Sequence, residues 1–168
     1  MTPLYLIDGY NFLHAVVLKG RERARWWSVE NQARAVSWVA GLMAGEGAET
    51  WVVFDRRGPV EGEGEAGSLG GLSNSQGPGG VEVHHAPDAD DYIVTRCAAL
   101  SSRREVIVVS ADRSLVDRAR FRGARGLSPW AFARTEGRVA ADDPARPALP
   151  NHAFSDDARG AKPDPGQR

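Results

Sequence analysis

Carboxylates stand at the ends of four short apolar runs. Asp8 follows Leu4-Tyr5-Leu6-Ile7, Asp55 follows Trp51-Val52-Val53-Phe54, and the Asp88/Asp90/Asp91 group follows Val83-His84-His85. Asp112 follows Val106-Ile107-Val108-Val109-Ser110. A short apolar run is the pattern of a strand buried on both faces of a parallel sheet. In open α/β sheets ligands bind at the carboxyl edge, and that is where each run would deliver its acid. The motifs hold no excess of basic partners. Several acids at one edge stay ionised together when a divalent cation neutralises them, so the pattern points to a Mg²⁺- or Mn²⁺-dependent site.

Asp8, Asp90, Asp91 and Asp112 also have a plainer explanation at helix starts. In Asp8-Gly9-Tyr10-Asn11 a carboxylate ends a strand, a glycine allows a turn, and an amide opens the next helix. Asn11 can cap that helix, or orient a metal-bound water or a phosphate oxygen. Asp90 and Asp91 fall in the first turn of a helix, where the dipole favours acids. Neighbours on a helix point about 100° apart, so only one of the two can be a direct ligand. Asp112 can cap the helix that follows it, and Ser110 can assist a phosphate or a metal-bound water.

Other chemistries fit worse. A haloacid-dehalogenase-type phosphatase needs a second aspartate two residues after the first, and Tyr10 stands there. A dinucleotide fold needs G-x-G-x-x-G after the first strand, and Gly9 is alone. There is no G-x-S-x-G elbow. His84 and His85 are adjacent on a strand and face opposite sides, so at most one could approach a metal.

The elements that must position these residues alternate. Strands are expected over Pro3 to Asp8, Thr50 to Asp55, Val81 to Ala86 and Glu105 to Ser110, the last the most apolar and so central. Helices are expected from Asn11 to Val17, from Ser28 as cap to about Ala44, and from Asp88 or Ala89 through Leu100. Val29, Ala33, Val36, Val39, Ala40 and Met43 would form the apolar side of the second of these. A helix from Ser114 to Phe121, a short edge strand over Gly123 to Leu127 and a last helix capped by Ser128 complete the order. Such alternation is the mark of an α/β fold, a parallel sheet with helices on both faces.

With 168 residues the chain makes one domain. Residues 1–138 are read as that domain and 139–168 as a disordered tail, rich in Pro, Ala, Asp and Arg. Within the domain, Arg57 to Gly80 holds nine glycines and the acids Glu61, Glu63 and Glu65. It reads as a mobile loop spanning about 56–80, in which nothing can pack. Cys97 is the only cysteine, so no internal disulfide forms and a reducing compartment, the cytoplasm, is expected. The first apolar run is cut by Asp8, which fits neither a signal peptide nor a membrane span.

The formal charge of −1 does not announce a nucleic-acid binder, but its distribution is uneven. Seven arginines lie between Arg113 and Arg138. Lys19, Arg21, Arg23 and Arg25 lead into Trp26-Trp27. Basic residues beside exposed aromatics can grip phosphates and stack bases. The plainer alternative is a solvated helix face with the Trp rings tucked into the core.

Leu6-Ile7-Asp8-Gly9-Tyr10-Asn11, Val53-Phe54-Asp55, Ala89-Asp90-Asp91-Tyr92-Ile93 and Val108-Val109-Ser110-Ala111-Asp112, in this order and spacing, resemble the YacP-like NYN domain family of the PIN-like nucleases. The resemblance runs from about Leu4 to Gly123-Ala124, and as far as Arg134. It implies a PIN-like three-layer α/β/α sandwich with a mainly parallel central sheet, divalent-metal binding by acids, and RNA cleavage. It marks Asp8, Asn11, Asp90 and Asp112 as the core positions, with Asp55 and Asp91 contributing. A basic helical extension seen in many relatives is replaced here by an acidic, proline-rich tail, so ribosome association is not indicated.

The resulting expectation is a metal-dependent endoribonuclease acting on single-stranded RNA, messenger RNA among the candidates. Asp8, Asp90 and Asp112 would ligate Mg²⁺ or Mn²⁺, partly through water, and Asp55 or Asp91 would orient water. Ser110, Arg113, Arg118, Arg120, Arg122, Arg125, Arg21, Arg23, Arg25 and Trp26 are the expected RNA contacts, forming a positive groove beside the acidic pocket. A non-catalytic RNA-binding module of the same fold and a toxin-like nuclease of a toxin–antitoxin pair are the alternatives.

Overall fold

The computed structural model describes residues 1–56 and 73–135. Alternate residues of the first strand, β1 (Leu4–Asp8), serve opposite faces of the sheet, as the two-residue period requires. Leu4 and Leu6 join one buried cluster with Ile93, Cys97, Leu115 and Ala119. Tyr5 and Ile7 join another with Phe12, Val36, Val39 and Phe132. A strand apolar on both faces is stable only where helices cover both. The helices are α1 (Gly9–Phe12), α2 (Val29–Met43) and α5 (Pro129–Thr135) on one side, α3 (Ala89–Leu100) and α4 (Arg113–Phe121) on the other. The result is the expected three-layer sandwich.

The remaining strands are β2 (Glu49–Asp55), β3 (Ser73–Gln76), β4 (Glu82–Ala86), β5 (Val106–Val109) and β6 (Arg125–Leu127). Their order across the sheet is β3-β4-β2-β1-β5-β6, all parallel except the β3–β4 pair. β1 and β2 occupy the centre, and β5 lies one place in from the edge. The expectation that the most apolar strand is central is therefore corrected. Helices on both faces and a three-residue β6 beside it bury β5 just as completely.

The glycine-rich stretch holds the second correction. Ser73–Gln76 is a strand, pairing antiparallel with β4 from Ser73↔His85 to Gln76↔Glu82. Its sequence, Ser-Asn-Ser-Gln, has no apolar alternation, so only its backbone hydrogen bonds reveal it. The Gly77 N–H donates to the Val81 carbonyl at 2.7 Å, and Gly79 and Gly80, at φ of 65° and 78°, reverse the chain into β4. Residues 57–72 and the tail expected at 139–168 lie outside the described residues.

α2 begins where expected, with Ser28 Oγ accepting from the Asn31 N–H at 3.2 Å. Its buried face is shifted: Ala35, Val36, Val39, Leu42 and Met43 point inward, while Val29 is 81% exposed and Ala33 is exposed. Asn31 shares that inward face, being itself buried and donating from Nδ2 to the Arg25 carbonyl at 2.8 Å. α1 starts at Gly9 rather than Asn11 and widens into a π-helical turn over Leu13–Val17. Cys97 is buried, its thiol pushed up to about 11 by burial, so it packs and does not react. No helix of the described residues is long and apolar enough to cross a membrane.

The connections explain where a site can form. From β1 the chain moves to β2 and on to β4 on one side, then returns across the sheet to β5 on the other side of β1. The chain thus leaves the carboxyl ends of β1 and β5 in opposite directions, and the crevice between them is the topological switch point. Gly9 is the residue that lets Asp8 sit there. A Cβ at position 9 would stand 2.4 Å from the Phe54 ring. Gly9→Ala is therefore expected to destabilise the domain by about 1–3 kcal/mol through overpacking. Urea titration measures this, and an unchanged midpoint would show that Phe54 yields freely.

Candidate active site at the switch point

Asp8 ends β1 with its side chain buried. Its Oδ1 accepts the Asn11 N–H at 3.1 Å, so Asp8, not Asn11, is the N-cap of α1. Its Oδ2 accepts the Ser110 hydroxyl at 3.1 Å, and Ser110 Oγ in turn accepts the Asp112 N–H at 3.1 Å. Asn11 Oδ1 accepts the Ala111 N–H at 3.1 Å. Two polar ties therefore stitch the end of β1 to the turn after β5, across the crevice. Asp112 caps α4, its Oδ1 accepting from the Ser114 and Leu115 N–H groups at 2.8 and 3.3 Å.

The acids share a field. Burial pushes the Asp8 carboxyl up to about 6 and the charge of Asp90 adds to this, against hydrogen bonds from Asn11 and Ser110. Asp90, in the first turn of α3, is also raised, by burial and then by Asp112 and Asp88, with Arg118 opposing. Asp90 therefore stands electrostatically between Asp8 and Asp112. A cavity of about 340 Å³ opens here, lined by Asp8, Asn11, Asp55 and Asp90 on its acidic side. Tyr10, His14, Trp26 and Ala89 form the rest of its wall.

Of the expected catalytic set, Asp8, Asn11, Asp55 and Asp90 line one cavity; Asp112 is outside that lining, its backbone N–H bound to Ser110 and its charge felt by Asp90. Asp91 is outside it too. It is exposed and ion-paired with Arg118, as its 100° offset from Asp90 demands. Ser110, expected as an RNA contact, is 3% exposed and directs its hydroxyl to the Asp8 carboxylate. Among the described residues no three His, Cys, Asp or Glu side chains close around a single metal position. Neither histidine of the His84-His85 pair lines the cavity. His84 is buried between Glu82 and the Tyr92 hydroxyl, and His85 meets Gln32.

The arginines divide by edge. A helix after a parallel strand runs back from the carboxyl edge, so Arg113 opens α4 beside Asp112 while Arg120 and Arg122 lie at its far end. Arg120 meets Asp117 at 3.6 Å, Arg122 lies over the Phe121 ring, and Arg125 pairs with Glu105 at 2.7 Å. The expected groove of Arg120, Arg122 and Arg125 beside the pocket is thus corrected. Basic residues of the 3₁₀ segment Gly20–Arg25 lead into the cavity wall at Trp26, while Arg113 and Arg118 stand on the side of Asp112 and Asp90. Arg23 donates to the His14 carbonyl at 3.2 Å, and its charge, after burial, lowers the His14 imidazole. Arg25 is exposed one residue before Trp26; the Arg21 side chain lies outside the described residues.

Trp26 is half-buried, edge-on to Tyr10 at 4.6 Å and to Trp27 at 5.7 Å. Tyr10 and His14 escaped the sequence reading as site residues. Their four-residue spacing places them on one helix face, and that face continues from Asp8.

The model of the YacP-like NYN domain matches residues 5–142, which takes in every element of the sheet. The chain belongs to the YacP-like NYN domain family. The family is a nuclease-type one, and its match runs four residues past the boundary expected at 138. The YacP-like fold resembles two crystal structures of Rae1 (YacP) from Bacillus subtilis. A single-substitution mutant matches at 21% identity with a TM-score of 0.60, covering 83% of this chain and 77% of that one. The unsubstituted protein matches at 20% with a TM-score of 0.55, covering 82% and 75%. No curated protein matches the chain.

Proposed function

We propose that this YacP-like NYN domain is an endoribonuclease that hydrolyses phosphodiester bonds in single-stranded RNA with Mg²⁺ or Mn²⁺. The observation that carries the reading is the buried Asp8, tied to Asp112 through Ser110 and facing Asp90 at the switch point. A carboxyl raised to about 6 by burial and by a neighbouring acid is poorly matched to its own surroundings. A cation relieves that mismatch. Mg²⁺ keeps several waters and binds through one or two carboxylates, which suits acids that do not close a three-ligand cage by themselves.

Asp8 and Asp90, which line one cavity, would hold the ion, with Asp112 contributing charge. Bound there, Mg²⁺ or Mn²⁺ would supply Lewis acidity toward phosphate and water. Asp55, across the same cavity, orients water and accepts its proton. Asn11 holds the β5 turn so that Asp112 keeps its place. The half-buried Trp26 and the basic Gly20–Arg25 segment favour unpaired bases and phosphates, because stacking requires a base free of its duplex.

The test is cleavage of a mixed RNA pool by the full chain with Mn²⁺, with EDTA, and with Asp8→Asn. Fragments are expected only from the unsubstituted protein with Mn²⁺. Cleavage that persists in EDTA would remove the metal from the proposal. Binding without any cleavage would leave the non-catalytic module.

A further inference from the structure

Behind the cavity wall lies a polar relay that the acidic chemistry does not use. Gln32, on α2, donates from Nε2 to the Tyr10 hydroxyl oxygen at 2.8 Å and, more weakly, to the Trp27 carbonyl at 3.4 Å. A carbonyl can only accept, so the amide nitrogen must face Trp27, and Oε1 is left for His85 Nε2 at 3.0 Å. His85 is stacked on Phe54, and because the Gln32 amide oxygen can only accept, the proton between them sits on His85 Nε2. The donors thus run His85 to Gln32 to Tyr10. Tyr10 receives a hydrogen bond and keeps its own proton.

Among the described residues no acceptor is placed for that proton. The Tyr10 ring is held edge-on against Trp26 and Phe54, at 4.6 and 5.1 Å. With its oxygen occupied by the Gln32 amide, the phenol has its O–H left to donate. It stands on the wall of the cavity that contains Asp8, Asp55 and Asp90. Beside Asp8, Asp55 and Asp90, a neutral O–H can bind an anionic or hydroxyl oxygen without adding a charge, and the Asn11 amide oxygen on the same wall is already taken by the Ala111 N–H.

We infer that Tyr10 is a substrate-positioning residue whose hydroxyl donates to a backbone oxygen of the bound strand, with Gln32 and His85 fixing the direction of that proton. The acceptor is a phosphate oxygen or a ribose 2′-hydroxyl. The inference rests on the nuclease reading and adds a named contact to it.

The experiment measures binding of a fluorescent single-stranded oligoribonucleotide, and of the same sequence as DNA, to the full chain in EDTA. Tyr10→Phe keeps both ring contacts and removes only the hydroxyl. It is expected to weaken RNA binding about three- to tenfold, the worth of one hydrogen bond, with unchanged melting. An equal loss on DNA assigns the acceptor to phosphate, and a loss on RNA alone assigns it to the 2′-hydroxyl. Gln32→Glu supplies the control, because the new carboxylate captures the Tyr10 proton. It should reproduce the loss in the unsubstituted background and add none to Tyr10→Phe. A loss from Gln32→Glu that persists in the Tyr10→Phe background is mere charge repulsion, and together with unchanged binding by Tyr10→Phe it overturns the inference. An unsubstituted chain that neither binds nor cuts RNA overturns the nuclease reading instead.

Discussion

Asp112→Asn is expected to abolish RNA cleavage while leaving the fold and the RNA affinity in place. The asparagine Oδ1 can accept the same Ser114 and Leu115 N–H bonds that Asp112 accepts now, and Asn is as good an N-cap as Asp. The backbone N–H at 112 still donates to Ser110 Oγ. What disappears is one charge in the field felt by Asp90. If that charge helps hold a catalytic ion, several kcal/mol of transition-state stabilisation go with it. At 1.36 kcal/mol per tenfold, kcat falls by about 10²–10⁴. Affinity measured in EDTA should stay equal or rise, because one repulsion against phosphate is gone. Single-turnover cleavage with Mn²⁺, anisotropy in EDTA and a melting curve separate the three quantities. Full turnover in the variant would place the chemistry elsewhere. A joint loss of affinity and melting temperature would make Asp112 a cap and nothing more.

The acids were legible because a strand end is legible. Apolar runs of four or five residues name the strands, and the residue after each run names the edge. The same logic could have placed the arginines. In a β–α unit the helix returns from the carboxyl edge, so Arg120 and Arg122, seven and nine positions into α4 from Arg113, had to lie far from Asp112. Counting basic residues along the chain hid a direction that the alternation already contained. Asp91 is a similar case: its 100° offset from Asp90 admitted one inward acid, and only the position of Arg118 on the neighbouring helix decided which.

Other features had no sequence signal. β3 is polar at every position and is held by its backbone pairing with β4. The inward face of α2 includes a buried asparagine, which hydropathy reads as outward. Ser110 carried a polar side chain near the acids, and only the distance to Asp8 shows that its hydroxyl faces inward. The Gln32–Tyr10 contact spans 22 residues and joins α1 to α2, which no local pattern records.

Asp8→Asn is expected to stabilise the protein in EDTA at the pH where it abolishes the proposed cleavage. The Asp8 carboxyl is raised from 3.8 to about 6 on folding. A group raised in the folded state binds its proton more tightly there, so its stabilising contribution is complete below pH 3.8 and is lost as pH rises through 6. Above that, the folded chain carries a buried charge that the unfolded chain would hold in water. A shift of about two units corresponds to about 3 kcal/mol as an upper limit. Asparagine removes the charge and keeps the cap to the Asn11 N–H. It also leaves the Ser110 hydroxyl without its carboxylate acceptor, which costs about 1 kcal/mol. A net gain of about 1–2 kcal/mol remains, a rise of several degrees in Tm. Urea titrations in EDTA at pH 7.5 and pH 5 test the sign directly. The unsubstituted protein should gain stability on acidification and the variant should gain less. Added Mg²⁺ should stabilise the first and not the second. A variant less stable at pH 7.5, with the same pH response as the parent, would mean that Asp8 is satisfied by Asn11 and Ser110 alone. Then nothing in the folded state would call for a cation beside it.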